Sequence, residues 1–349
     1  MHFLLSRLFH RLVKLNNRFL IWSSIAMIGS CSFLIYWLEP DTYGNPFNGL
    51  WWVMSTITTV GYGDFYPHTV AGKLVGMLIF MFGIGLGSIL ISKLVDTFFV
   101  FKRNKEAGNL KYTGSNHFVI IEWSTHAASA IQEILHTDAA AEIVLIDERA
   151  QTPILHDNVH YVRGNPVLPE TLQNANLAEA KAVFIFSKEM TEDGMFLHDS
   201  SFIDGKTLLI ATAIERNYAE IYTIVEIKER ENIHSFTHIK VNEFILGDET
   251  ISRLAVRSAF NPGAAAIISQ LLTSRDGEDL YEIAHRIHWH HYRDAFEELL
   301  NEGATLISNG KELNINRRLD EEIPKGARLF VICDHATYLR ISPIAQVTK

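Results

Sequence analysis

Hydrophobic and polar positions divide the chain near residue 103. Before it, two apolar runs stand out. Phe19 to Leu38 carries no charge over about twenty residues, enough helix to cross ~30 Å of hydrocarbon. Val70 to Phe101 is longer, about 48 Å of helix, with Lys73 near its start and Lys93 and Asp96 near its end. Ahead of the first run, Phe3, Leu4, Leu8, Leu12 and Leu15 recur at helical spacing between basic residues, which predicts an interfacial amphipathic helix over 1–18. Between the runs, Pro46-Phe47-Asn48 predicts the start of a short re-entrant helix reaching about Thr58.

After residue 103 the pattern changes. A polar linker, 104–114, holds Gly108 and Gly114. Short apolar runs at 117–121, 142–146, 159–162, 182–186 and 222–225 then predict strands, separated by helical patterns at 127–135, 170–175 and 207–215. Such alternation predicts a parallel, doubly wound sheet, a Rossmann-like α/β domain over 115–241. An amphipathic, mainly helical stretch follows over 242–263. A small α+β module fills 264–349, with a helix at 292–302 and strands near Leu306 and at 329–333.

Charge orients the first part. Arg7, Arg11, Lys14 and Arg18 precede the first run and Lys102, Arg103 and Lys105 follow the second, while the connection holds Glu39, Asp41 and Asp64 and no Lys or Arg before Lys73. The positive-inside rule therefore places both termini in the cytoplasm, with lipid as a partner. The net charge of -9 over 349 residues argues against nucleic acid as a partner. The two cysteines, Cys31 and Cys333, lie in separate parts and suggest no disulfide framework.

The connection carries the most specific chemistry: Thr58-Thr59-Val60-Gly61-Tyr62-Gly63-Asp64. A path that strips a cation of water needs successive backbone carbonyls aimed at one axis. Val60 and Tyr62 can turn their side chains away while Gly61 and Gly63 take angles closed to other residues, and the Thr59 hydroxyl adds a ring of oxygens. Irregular backbone at membrane depth is tolerated only where protein buries it or it lines a water path. With Trp51-Trp52 before it and Pro67 after it, the string resembles the pore signature of potassium channels. The resemblance implies K+ ions held at Thr59, Val60, Gly61 and Tyr62 in a filter 59–63 within a pore domain 19–103, supported by Trp51, Trp52, Thr58 and Asp64. One filter strand per chain implies a homotetramer. It further implies a gating hinge at Gly83 or Gly85 and an inner gate near Ser88; close packing of helices through small residues is the other reading of these glycines.

A second resemblance rests on the run 117–124, on Val144-Leu145-Ile146-Asp147, on Tyr161-Val162-Arg163-Gly164-Asn165-Pro166, and on Glu226, Arg230, Glu231 and Asn232. These look like the RCK (regulator of K+ conductance) domain. The whole layout then resembles a two-span, RCK-gated prokaryotic potassium channel, similar to the archaeal calcium-gated type, which implies the inner or plasma membrane of a prokaryote. It is no enzyme. The resemblance implies that RCK domains pair through a helical crossover, here 242–263, and form a gating ring, with separate soluble RCK subunits as one way to complete it. It also implies a ligand site among Glu122, Ser124, Asp147, Glu148, Arg163, Asn165 and Glu226, for a nucleotide or a cation.

The residues depart from the family at that site. A dinucleotide loop wants Gly-x-Gly-x-x-Gly, but the chain reads Glu122-Trp123-Ser124-Thr125-His126-Ala127, with a carboxylate where a pyrophosphate would lie. The positions matching the archaeal calcium site are Ser187, Glu226 and Lys228, of which only Glu226 is an anionic oxygen ligand. Other carboxylates, 189–193, Asp199 and Asp204, sit on a long insertion that reads as a solvated acidic loop. His285, His288, His290 and His291 leave open a metal- or proton-sensing cluster or a polar strand face. Ligand-gated K+ permeation is the expected function. The alternatives are a constitutively leaking channel whose ring serves assembly only, and a membrane-anchored nucleotide-binding module.

Overall fold

The computed structural model describes residues 17–190, 194–273 and 277–342. The helix expected over 1–18 lies almost wholly outside them. Two compact units, Met1–Asn104 and Lys105–Lys349, are described separately.

In the first unit, α1 (Asn17–Leu38) is followed by α2 (Pro40–Tyr43), α3 (Pro46–Ile57), an extended segment, α4 (Val70–Leu78), a wide π-helical turn (Ile79–Gly83) and α5 (Ile84–Glu106). Local sequence starts these helices. Asn45 caps α3 by accepting from Asn48 N, with Pro46 at the first position, and Thr69 caps α4 by accepting from Gly72 N. Gly49 lets α3 approach α1: a Cβ there would stand 2.6 Å from Ser32 O. Ile35, Tyr43, Trp52, Val53, Val75 and Ile79 form the core. By length and composition one helical stretch, Ile21–Leu38, suffices to cross a membrane among the described residues. The second run departs from the single span expected over 70–101. The π-turn divides it, its apolar part is Val70–Gly83, and the charges of Lys93, Asp96, Lys102 and Arg103 dilute α5.

Glu39 is more than a topological charge. Its carboxylate is 5% exposed and accepts from Thr69 N at 2.8 Å, Thr69 Oγ1 at 2.6 Å, His68 N at 3.0 Å and Thr42 Oγ1 at 3.1 Å. It ties the end of α1 to the segment entering α4.

The second unit is built on a six-stranded parallel sheet of β1 (Phe118–Ile121), β2 (Ile143–Asp147), β3 (Val159–Arg163), β4 (Ala182–Ile185), β5 (Tyr222–Glu226) and β6 (Glu243–Ile245), in the order β3-β2-β1-β4-β5-β6. Alternate residues feed opposite faces. Val119, Ile121, Val144, Ile146, Val183 and Val225 pack beneath α7 (Pro169–Asn174) and α8 (Ser200–Tyr218), while Ile120, Ile143, Leu145 and Tyr161 pack beneath α6 (Thr125–Thr137). Two expectations are corrected here. Residues 243–245 are not part of a helical crossover but an edge strand paired with β5; the helix begins after it, as α9 (Gly247–Phe260), followed by α10 (Ala264–Leu271). And α8 starts at Ser200, not 207, because Asp199 caps it by accepting from Ser201 N and Phe202 N.

The stretch expected to be a linker is fastened to the sheet. Thr152 N donates to Glu106 O at 2.8 Å, Arg163 N to Gly108 O at 3.0 Å, and Asn176 Nδ2 to Gly114 O at 2.8 Å. Tyr112 N donates to Asn174 O, Asn116 N donates to Glu179 O, and His160 Nε2 lies 2.9 Å from Leu110 O. Gly108 is required: φ is 69° and a Cβ would collide with Arg163 N.

The smaller lobe has an antiparallel sheet in the order β7-β9-β8, from β7 (Asp279–Ile283), β8 (Thr305–Asn309) and β9 (Leu329–Cys333), packed with α11 (Tyr292–Asn301) and α12 (His335–Ile341). Trp289, Tyr292, Leu299, Leu306, Val331 and Cys333 fill its core. Burial pushes the Cys333 thiol up to about 11, so it stays protonated and unreactive at neutral pH.

Candidate functional site

The segment after α3 alternates in backbone hand. Thr59, Gly61 and Gly63 have φ of 61°, 57° and 76°, whereas Val60 and Tyr62 are not among the left-handed residues. For the glycines this is unstrained; for Thr59 it is not. Val60 N and Gly61 N both donate to Ser55 O, at 2.9 and 3.1 Å, which anchors the segment to the end of α3. Thr58 closes that helix, its Oγ1 donating to Met54 O at 2.8 Å. Trp51 Nε1 donates to Asp64 Oδ2 at 2.8 Å, and the Trp51 ring stacks on Tyr62 at 5.3 Å between centroids. Trp52 is buried behind, edge-on to Tyr43. Trp51 and Asp64 thus brace the segment and Thr58 closes the helix before it, while Trp52 packs on Tyr43; Glu39, not predicted in this role, holds the far end.

Gly83 closes the π-turn, where a Cβ would lie 2.7 Å from Ile57 Cγ1, so here it serves close packing against α3. Gly85 has open space around its missing side chain. Ser88 lies on the exposed side of α5.

In the second unit, strand order reverses between β1 and β4, the place where parallel α/β sheets bind ligands. A cavity of about 390 Å³ opens there, lined by Trp123, His126, Arg149, Met190, Phe196 and Lys228 among others. Ser124 caps α6 by accepting from Ala127 N. Glu226, 4% exposed, accepts from Ser187 N at 2.9 Å and stands 2.7 Å from His126 Nδ1.

Several predicted ligand residues are engaged within the fold. Asp147 is wholly buried; Oδ2 accepts from Trp123 N and Lys188 Nζ, and Oδ1 from Arg149 N. Glu122 is paired with Lys188 and Lys206. Arg163 Nε donates to Glu148 O at 3.3 Å, and Asn165 Oδ1 accepts from Val167 N in a turn. Lys188 and Lys206 escaped the sequence reading because a lysine past a strand end or on a helix face usually points to water.

The calcium positions do not fit the ion. Lys228 Nζ pairs with Glu189 and lies 3.3 Å from Asp248 Oδ2. Burial alone would lower its pKa, but these carboxylates raise it and keep the cation in place. No group of three or more His, Cys, Asp or Glu side chains suited to a metal occurs among the described residues. The histidines do not converge and do not lie on a strand. His285 Nε2 lies 3.0 Å from Trp289 O, His288 Nε2 lies 2.7 Å from Glu298 Oε2, and His291 caps α11. Two carboxylates of the supposed acidic loop are structural: Asp199 caps α8, and Asp204, 2% exposed, accepts from Lys228 N, Glu229 N and Asn232 Nδ2.

Comparison with known proteins adds independent findings. Residues 22–100 match the ion channel family and residues 116–225 the calcium-activated potassium channel slowpoke-like RCK domain. The putative potassium channel protein YugO of Bacillus subtilis is 30% identical over 220 residues, 63% of this chain and 65% of that protein, so the match spans slightly under two thirds of YugO. The calcium-gated potassium channel TvoK of Thermoplasma volcanium is 30% identical over 239 residues, 68% of this chain and 67% of TvoK. Among solved structures, the human SLO3 gating ring aligns with 65% of this chain and 46% of its own, at 14% identity and a TM-score of 0.49. With a pore match in its first hundred residues and an RCK match behind it, on a sequence 30% identical to TvoK, this chain belongs to the prokaryotic potassium channels that join an ion-channel pore to an RCK gating domain, and it is not an enzyme.

Proposed function

We propose that residues 59–63 form the K+ filter of a homotetramer and that a ligand bound by a ring of RCK domains gates it. The observation that carries the reading is the alternation of hand, left-handed at 59, 61 and 63. Such alternation turns successive carbonyls to the same side, and four copies around an axis replace the hydration shell of a permeating K+. Trp51, Tyr62 and Asp64 brace the strand from behind. In this reading α1 and the path from α4 to α5 are the two spans, both termini face the cytoplasm, and the exposed apolar side chains of the first unit, Phe80, Met81, Ile91 and Leu94 among them, meet lipid and neighbouring subunits.

Gating follows from differential affinity: a ligand shifts the pore only by binding one ring geometry better than another. The cavity beside Trp123, His126 and Lys228 is the proposed ligand site, and α9, which leaves Ile251, Val256 and Phe260 exposed, is the proposed pairing surface. The π-turn and the unobstructed Gly85 are where the inner helix bends, with Ser88 near the constriction. The test is the reversal potential of the reconstituted channel under opposed K+ and Na+ gradients. The reading expects the K+ equilibrium potential for the parent and lost selectivity or current for Gly61→Ala, whose Cβ is disfavoured at φ 57°. An unchanged, K+-selective Gly61→Ala channel would overturn it.

A further inference from the structure

Glu122 follows β1 and Asp147 ends β2; the residues before them, Ile121 and Ile146, are partners in the parallel ladder. Both carboxylates are buried, at 1% and 0% exposure. Two carboxylates buried at neighbouring strand ends repel each other unless cations share the site. The chain supplies its own. Lys188, beyond β4 and only 8% exposed, places Nζ 3.1 Å from Glu122 Oε2 and 3.1 Å from Asp147 Oδ2. Lys206, on α8, stands 2.6 Å from Glu122 Oε1 and 3.9 Å from Glu148 Oε2. Burial alone would lower the pKa of Lys188, but the two carboxylates raise it, so the ammonium stays charged.

The backbone points the same way. Glu122 has φ 69°, a left-handed angle that suits glycine. A strained residue persists where the surroundings demand its side chain, and here the carboxylate is held by two lysines from two other elements.

We propose that Lys188 is a tethered cation, filling from within the chain the place between Glu122 and Asp147 that a diffusible divalent cation would otherwise take, so that this crevice is self-liganded. The arrangement also leaves no vacancy for a dinucleotide. Asp147 already receives Trp123 N, Lys188 Nζ and Arg149 N, and a pyrophosphate would face the Glu122 carboxylate. The neighbouring cavity, lined by Trp123, His126 and Lys228, is the space left for a ligand.

The test uses the full-length channel and reads thermal unfolding in chelator, in MgCl2 and in CaCl2. Unfolding is independent of current, so a ring without ligand control would leave this result intact. Lys188→Ala should unfold below the parent in chelator. For a site filled a hundred-fold above its Kd, either divalent salt should raise its midpoint by roughly 5 °C or more. The parent should shift less, and the triple variant Glu122→Gln, Asp147→Asn, Lys188→Ala should lose the extra shift. A divalent shift in Lys188→Ala no larger than the parent's would overturn the proposal. Should Lys188→Ala fail to fold under every condition, Lys188→Met decides. Instability in chelator relieved by divalent salt supports the tethered cation; a Lys188→Met channel as stable as the parent in chelator refutes it.

Discussion

Replacing Glu39 by Gln tests whether one carboxylate secures the segment that leads from the proposed filter into α4. In the native chain Oε1 receives Thr69 N and Thr69 Oγ1, and Oε2 receives His68 N and Thr42 Oγ1. A carboxamide keeps the shape but only one acceptor oxygen. With the amide oxygen toward Thr69, the NH2 confronts the His68 N–H; with the oxygen toward His68, the NH2 confronts the Thr69 N–H. The threonine hydroxyls can rotate to accept, but neither backbone N–H can. One buried donor is stranded in either orientation, at about 1–3 kcal/mol, and the remaining bonds lose their charge assistance, for a total of about 2–5 kcal/mol per subunit. Gly72→Ala should act on the same group, because its Cβ would run into Glu39 Oε1. The assay is thermal unfolding of the reconstituted channel, followed by K+ flux from liposomes after a heat challenge. Acid gives a second check. Burial alone would raise the Glu39 pKa, but hydrogen bonds from Thr69, His68 and Thr42 bring it below the ordinary carboxylate value. The stability it contributes is therefore complete above that ordinary value and lost as pH falls through the lowered one, so parent and Glu39→Gln should converge in strong acid. A Glu39→Gln channel that melts with the parent and keeps its flux would refute the reasoning.

Three further outcomes are expected. Asp204→Ala strands the Lys228 and Glu229 N–H groups and should destabilise the second unit by about 2–5 kcal/mol, read as a lower urea midpoint; an unchanged midpoint would mean water replaces the carboxylate freely. Burial alone would raise the pKa of Glu298, yet hydrogen bonds from His288, Trp289 and Arg286 lower it to about 2. Stability from this group should thus be intact above ordinary carboxylate pKa values and disappear as pH falls toward 2, a loss that Glu298→Gln should not show in acid titrations followed by Trp289 fluorescence. Millimolar Ca2+ on the cytosolic side should leave open probability unchanged, because Lys228 sits among the carboxylates; Ca2+ activation abolished by Glu226→Gln would contradict this.

Contiguous apolar runs made β1 to β5 readable, since strands buried on both faces need no alternation. The string proposed as the filter was equally plain, because few sequences place two glycines around one tyrosine between apolar helices. What escaped was set by partners distant in sequence. β6 has three residues and one neighbouring strand, too little pattern to separate from the amphipathic helix after it. Asp204 reads as a surface acid until the β5 loop folds over it, 24 residues on. Four histidines within seven residues suggest one site, but the turn before α11 sends them to different acceptors. Lys188 is the sharpest instance: its charge pointed to solvent, and only the closing of β1, β2 and β4 into one sheet put two carboxylates around it.

The fastening of residues 106–116 bears on mechanical compliance. A free segment of about ten residues behaves as an entropic spring with an end-to-end distance of roughly 18 Å, and would absorb small displacements before passing any on. Here Gly108 and Leu110 are tied to β3, Glu106 to the loop before β3, and Tyr112, Gly114 and Asn116 to the end of α7 or the turns after it. The stretch has almost no slack length to take up. Loosening the seam, for instance through Gly108→Ala, would turn backbone that the native sheet holds into such a spring.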